Sequence, residues 1–170
     1  MDDANDPYDL RRFVDAQNSC FESVCSELKD GSERGHWIWF IFPQIKGLGH
    51  SPTAQKFAIS SRKEAEAYLG HPILGPRLRE CTRLVNLMEG RSIGEIFGYP
   101  DDLKFRSCMT LFAHVARDHQ IFIDALEKYC GGKFEPPHTR AAVIETLVRW
   151  RKIERRQLVG PGSVIIAEAV

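Results

Sequence analysis

Two stretches of the chain concentrate the side chains that can do chemistry. The first is Gly35-His36-Trp37-Ile38-Trp39-Phe40-Ile41-Phe42-Pro43-Gln44, which sets two of the three tryptophans between a titratable ring and an amide. An aromatic wall with polar donors beside it suits stacking and edge recognition of a nucleobase or another planar ligand. The same run also suits a core segment whose rings fill volume while His36 and Gln44 bond to backbone. The second stretch, Phe97 to Phe112, brings Asp101, Asp102, Lys104 and Ser107 into the opening turns of an expected helix. A helix N-terminus can receive phosphate, but two aspartates there favour capping. Lys104 and Ser107, three apart on one face, can hold an anion together; equally, Lys104 can pair with Asp101.

Standard catalytic motifs are missing. The six histidines include no HExxH, and His114 and His119 are five apart with no carboxylate at a ligand interval, so no metal site is expected. Neither GxGxxG nor GxxxxGK[ST] is present, nor the GxSxG of a serine nucleophile. No cofactor is expected.

The elements that must position these residues read as helices. Asp6-Pro7 has the form of a helix start, followed by Leu10, Phe13 and Val14. A second stripe of Phe21, Val24, Cys25 and Leu28 stops at Gly31. The run from His36 to Phe42 is apolar on all sides, so it fits a buried strand or a short buried helix, and Pro43 ends it either way. Ser51-Pro52 starts a short helix. Ser61-Arg62-Lys63-Glu64 and Ser92-Ile93-Gly94-Glu95 have the form of capping boxes. Leu74, Leu78, Cys81, Leu84, Val85 and Met88 mark another helix, and Pro100-Asp101 introduces the next. Asp118 is placed to cap a helix that closes at Gly131-Gly132, and a last helix is expected from Thr139 to about Arg155. Turn-punctuated alternating strands are missing. The expected fold is all-α: one multi-helical domain over residues 6–155, with a flexible tail over 156–170.

The bulk numbers agree with an ordinary globular domain. Of 170 residues, 43% are hydrophobic and 27% charged, and 23 bases balance 23 acids, so no overall basic field collects nucleic acid or anionic lipid. Acids crowd the first thirty residues. Arg149, Arg151, Lys152, Arg155 and Arg156 form a basic run that reads as a solvated face, the one feature favouring nucleic acid. The five cysteines lack a CxxC pair and fall in or beside apolar helical patterns, as reduced cysteines do. The acidic start lacks the apolar stretch of a signal peptide, and no run approaches a membrane span. The expectation is a cytoplasmic protein that does not enter the membrane.

Four segments carry a family resemblance: residues 6–17, 35–44, 64–78 and 97–112. Their order and spacing over residues 6–132 resemble the domain of unknown function 1810 family. The resemblance implies a compact multi-helical fold with a central helix wrapped by others, and no established activity. Serine is common in that family where Cys108 stands here. After Gly132 the family usually continues with an acidic residue and Thr-Leu, whereas this chain gives Phe134-Glu135-Pro136-Pro137.

A fainter similarity is to the NADAR family, whose members cleave N-glycosidic bonds of ADP-ribose derivatives. It rests on Ser51, Ala54-Gln55-Lys56, Ile59, Glu64-Ala65, Met109 and Phe112. That family places a glutamate soon after the serine, where this chain has Pro52 and Thr53. Asp101 or Asp102 would then have to act as the catalytic carboxylate. The expectation is a domain for ADP-ribose-like or nucleotide-derived small ligands, with an N-glycosidase-type hydrolase as its catalytic form. In that reading His36, Trp39, Gln44 and Ser51 line the pocket, and Lys104 and Ser107 meet the anionic part. The alternative is a non-catalytic protein-interaction domain whose motifs specify only the fold.

Overall fold

The computed structural model describes residues 5–131 and 137–158, which form helices and no strand. The first helix begins later than its sequence signal. Asp6 accepts from the N–H groups of Leu10 and Arg11 at 2.8 and 2.9 Å. Asp9, however, turns the chain with a φ of 50°, and α1 runs Arg11–Asn18. Next, α2 (Phe21–Asp30) ends at Gly31, whose φ of 69° is left-handed. That left-handed backbone favours glycine, whereas the nearby Met88 and Arg91 side chains could move aside for a Cβ.

The aromatic run resolves as a short helix, α3 (Ile38–Ile41). Ser51 caps α4 (Pro52–Lys56), its hydroxyl accepting from Ala54 N at 3.1 Å. Between them the backbone of Gln44, Lys46 and Ile59 makes a two-bond parallel bridge at 2.8 and 2.9 Å. The Ser61 cap of α5 (Arg62–Gly70) is half the expected box: Ser61 receives Glu64 N, but the Glu64 carboxylate turns to Ser60 N at 2.8 Å. After α6 (Leu74–Leu87), α7 (Ile93–Phe97) carries the full Ser92–Glu95 box. Then come α8 (Asp101–Val115), α9 (Gln120–Cys130) and α10 (Pro137–Leu158). Asp118 does not cap α9; His119 stands at that position, without a side-chain cap. The last helix starts before Thr139 and continues past Arg155. The expected tail beyond residue 158 lies outside the described residues.

The central helix is α8. It buries Phe105, Cys108, Met109, Leu111 and Phe112 almost completely, and α3, α5, α7, α9 and α10 all pack on it. A helix covered on nearly every side has no need of a polar stripe. Aromatic rings link the layers: Phe13 to Tyr68 at 5.1 Å, Tyr68 to Phe112 at 5.6 Å and Phe112 to Phe122 at 5.9 Å. On α10, Val143 and Trp150 are buried while Arg149, Arg151, Lys152, Arg155 and Arg156 are exposed. Among the described residues no helix is long and apolar enough to cross a membrane.

Glu64 has been diverted by Arg12, which ties three segments together. The Arg12 guanidinium donates to the carbonyls of Tyr8, Asp9, Lys56 and Ala58 and to the Glu64 carboxylate at 2.6 Å. Both side chains are nearly buried, at 12% and 6% exposure. Removing one partner of such a pair leaves an uncompensated charge. Arg12→Met is therefore expected to cost about 3–5 kcal/mol in urea unfolding. Glu64→Gln leaves the Arg12 guanidinium its four carbonyl acceptors and keeps an acceptor for Ser60, so it should cost clearly less.

Candidate functional site

The loop between α2 and α3 is organised by one carboxylate. Glu27, buried on α2, accepts from the backbone N–H groups of Arg34 at 2.6 Å and Gly35 at 3.0 Å, from the Trp37 indole at 2.9 Å, and from the Ser23 hydroxyl at 3.3 Å. Burial pushes its pKa up, but these four donors outweigh that and hold it below the usual carboxylate range. The loop is pinned from the other side by Glu33 N, which donates to Ile96 O at 2.7 Å. Trp37 is thereby fixed against Phe97 and Phe42, with centroids 6.1 and 6.4 Å away.

Glu33 is thus carried to the N-terminal end of α8. Its stem is partly exposed, but both carboxylate oxygens are buried and find no hydrogen-bond partner among the described residues. Desolvation, then the charges of Asp101 and Glu27, push its pKa up to about 8; Lys104 and the Trp37 N–H pull weakly the other way. At neutral pH this carboxyl is mostly protonated. Beside it, Lys104 pairs with Asp101 at 2.5 Å and lies 4.3 Å over the Trp39 ring. The ion pair is only 17% and 16% exposed, so Lys104 is held on three sides and not on a free surface. One Asp102 oxygen is also buried without a partner among the described residues.

Of the residues expected from sequence, the structure brings Trp39, Lys104 and Asp101 together. Ser107 is 2% exposed, and its hydroxyl donates back to Leu103 O at 3.0 Å. Ser51 is exposed as the cap of α4, and His36 is exposed. Gln44 is half-buried at the parallel bridge, its carbonyl accepting from Ile59 N. Sequence reasoning missed Glu27 and Glu33. The available signal was a carboxylate between Gly31 and Gly35, on the threshold of the aromatic run. A separate groove of about 500 Å³ runs past Asp6, Arg11, Asp15 and His71 and includes none of these residues.

The charge balance makes a direct test possible. Asp101→Asn should lower the Glu33 pKa from about 8, and Lys104→Met should raise it, since the one removes repulsion and the other removes attraction. Carboxyl-carbon NMR titration of the two variants reads both shifts. Shifts of the opposite sign would mean that the two side chains do not face Glu33 in solution.

Comparison with known proteins gives the lineage of this arrangement. The chain resembles the crystal structure of the conserved hypothetical protein Rv1873 from Mycobacterium tuberculosis, with 57% identity, a TM-score of 0.76, and coverage of 81% of this chain and 97% of that one. No curated protein matches. The sequence profile of the proteins of unknown function DUF1810 matches residues 7–143, which carries the similarity past Gly132 and into α10. The chain belongs to the DUF1810 family.

Proposed function

We propose that this domain hydrolyses an N-glycosidic bond in a nucleotide-derived compound of the ADP-ribose class, with Glu33 as the general acid. One observation carries the reading: a buried carboxyl, protonated at neutral pH, stands beside an ion-paired carboxylate at the edge of an aromatic wall. Two carboxyl groups with separated roles are what glycosidic cleavage requires. Glu33 gives its proton to the base nitrogen as the bond from the anomeric carbon to nitrogen breaks. Asp101 stabilises the positive charge that develops on the sugar. Water then attacks the anomeric carbon and loses its proton to a carboxylate, Asp101 or Asp102, and solvent exchange resets both groups. Trp39 supplies the apolar face for the base.

Lys104 serves this reading by fixing Asp101. Its charge is already matched by Asp101, which disfavours a phosphate, so the site is assigned to the base and sugar. No residue is assigned to the anionic end of the ligand.

The test is release of free base from ADP-ribose derivatives and simple purine nucleosides, followed by chromatography. Glu33→Gln should lower turnover by about 10²-fold or more while leaving the protein folded. Activity should fall as pH rises through about 8, because the acid must carry its proton. No base release and no thermal shift with any of these compounds would sink the proposal and favour a non-catalytic interaction domain. Full activity in Glu33→Gln would remove Glu33 from it.

A further inference from the structure

A second reactive centre lies on the opposite side of α2. This helix packs on α6, and at that seam the thiols of Cys25 and Cys81 lie close enough to interact. Cys81 is fully buried, whereas Cys25 is partly exposed. The charged groups facing Cys25 are Lys29 on its own helix and Arg77 and Glu80 on α6. Cys20, at the start of α2, lies near Arg77 as well, in a cavity of about 430 Å³ lined also by Asn18, Phe21 and Ser23. The seam therefore offers one accessible thiol and, in contact with it, one thiol that solvent cannot reach.

We propose that Cys25 and Cys81 form a dithiol that reacts with hydroperoxides, Cys25 attacking and Cys81 resolving. The Cys25 thiolate attacks the outer oxygen of the hydroperoxide, the O–O bond breaks, and the leaving oxygen is protonated to an alcohol or water. Cys25 is then a sulfenic acid. The Cys81 sulfur attacks the Cys25 sulfur, and the sulfenic hydroxyl leaves with the Cys81 proton as water. Two thiols are oxidised to one disulfide, and one hydroperoxide is reduced. The bond joins α2 to α6 at their contact and closes a long loop of chain.

Three further properties support the assignment. The Cys81 hydrogen bond lowers the Cys25 pKa to about 7, against the desolvation that opposes it. Burial raises the Cys20 thiol, despite Arg77, and burial alone raises Cys108 far more. Among Cys20, Cys25 and Cys108, reactivity is therefore concentrated at Cys25.

Peptide mapping of hydrogen-peroxide-treated protein under non-reducing conditions tests this without a variant. The expected product is a single crosslink between the peptides holding Cys25 and Cys81, reversed by dithiothreitol, with a higher melting temperature while it is closed. In Cys81→Ala, dimedone should trap a sulfenic acid on Cys25, and the alkylation rate of Cys25 should rise at higher pH than in the parent. A crosslink between other cysteines, or Cys25 reacting no faster than Cys20, would overturn the proposal. So would oxidation of Cys81 in a Cys25→Ala protein at the parental rate. None of these readouts depends on the Glu33 site.

Discussion

The Glu27 carboxylate is the constraint on which the site rests. It collects four donors from residues that would otherwise form an irregular loop, and it does so from within a helix whose position is set by packing. A buried carboxylate with several hydrogen bonds is stable, and each donor it satisfies would be costly to leave unmet. Through the Trp37 indole it orients the ring that supports Phe97 and Phe42. Through Arg34 and Gly35 it shapes the turn that leads into α3. Glu33, one residue before Arg34, is left facing α8 with its carboxylate oxygens buried.

The central helix has two tasks. Its middle and end are apolar and sealed, forming the core on which α9 and α10 pack. Its first turn, by contrast, holds Asp101, Asp102 and Lys104 in partial burial, where charges act strongly on one another. Asp101 and Asp102 also complement the positive end of the helix, and Asp101 raises the proton affinity of Glu33. The two aspartates do not cap the helix with a side-chain hydrogen bond, but Asp101 both faces its positive end and shapes the site.

Much of the fold was legible because its signals are local. The Ser92–Glu95 box, the stop at Gly31 and the apolar stripe of α6 need no distant partner, and each is found where the pattern puts it. The central helix and its wrapping were implied by family resemblance and not by periodicity. Failures occurred where a distant group intervened. Glu64 had the sequence of a capping box, but Arg12, fifty-two residues away, took its carboxylate. Asp118 had the form of a cap, yet the helix starts beyond it. Glu33 carries no motif at all. Its character comes from burial and from the carboxylates of Asp101 and Glu27, which only the fold brings beside it. The pairing of Lys104 with Asp101 was one of two readings open to a three-residue spacing, while its contact with Trp39 required the fold.

The protonated state of Glu33 has a thermal consequence. An unfolded glutamate titrates near 4.5, and in the folded chain Glu33 does so near 8, so between these values folding takes up a proton and unfolding releases it. This makes Glu33 a destabilising influence as pH rises toward 8, the reverse of Glu27. Near pH 7 the Cys25 thiol works against that release, since its proton is held more weakly in the folded chain than in the unfolded one. Near pH 6 Cys25 is protonated in both states, and the Glu33 proton stands alone among the shifted groups. A heat of unfolding recorded there will include the ionisation heat of whatever buffer accepts that proton. Calorimetric enthalpies of this protein in phosphate and in a buffer of high ionisation heat will therefore differ, although the fold, its packing and its melting reaction are the same.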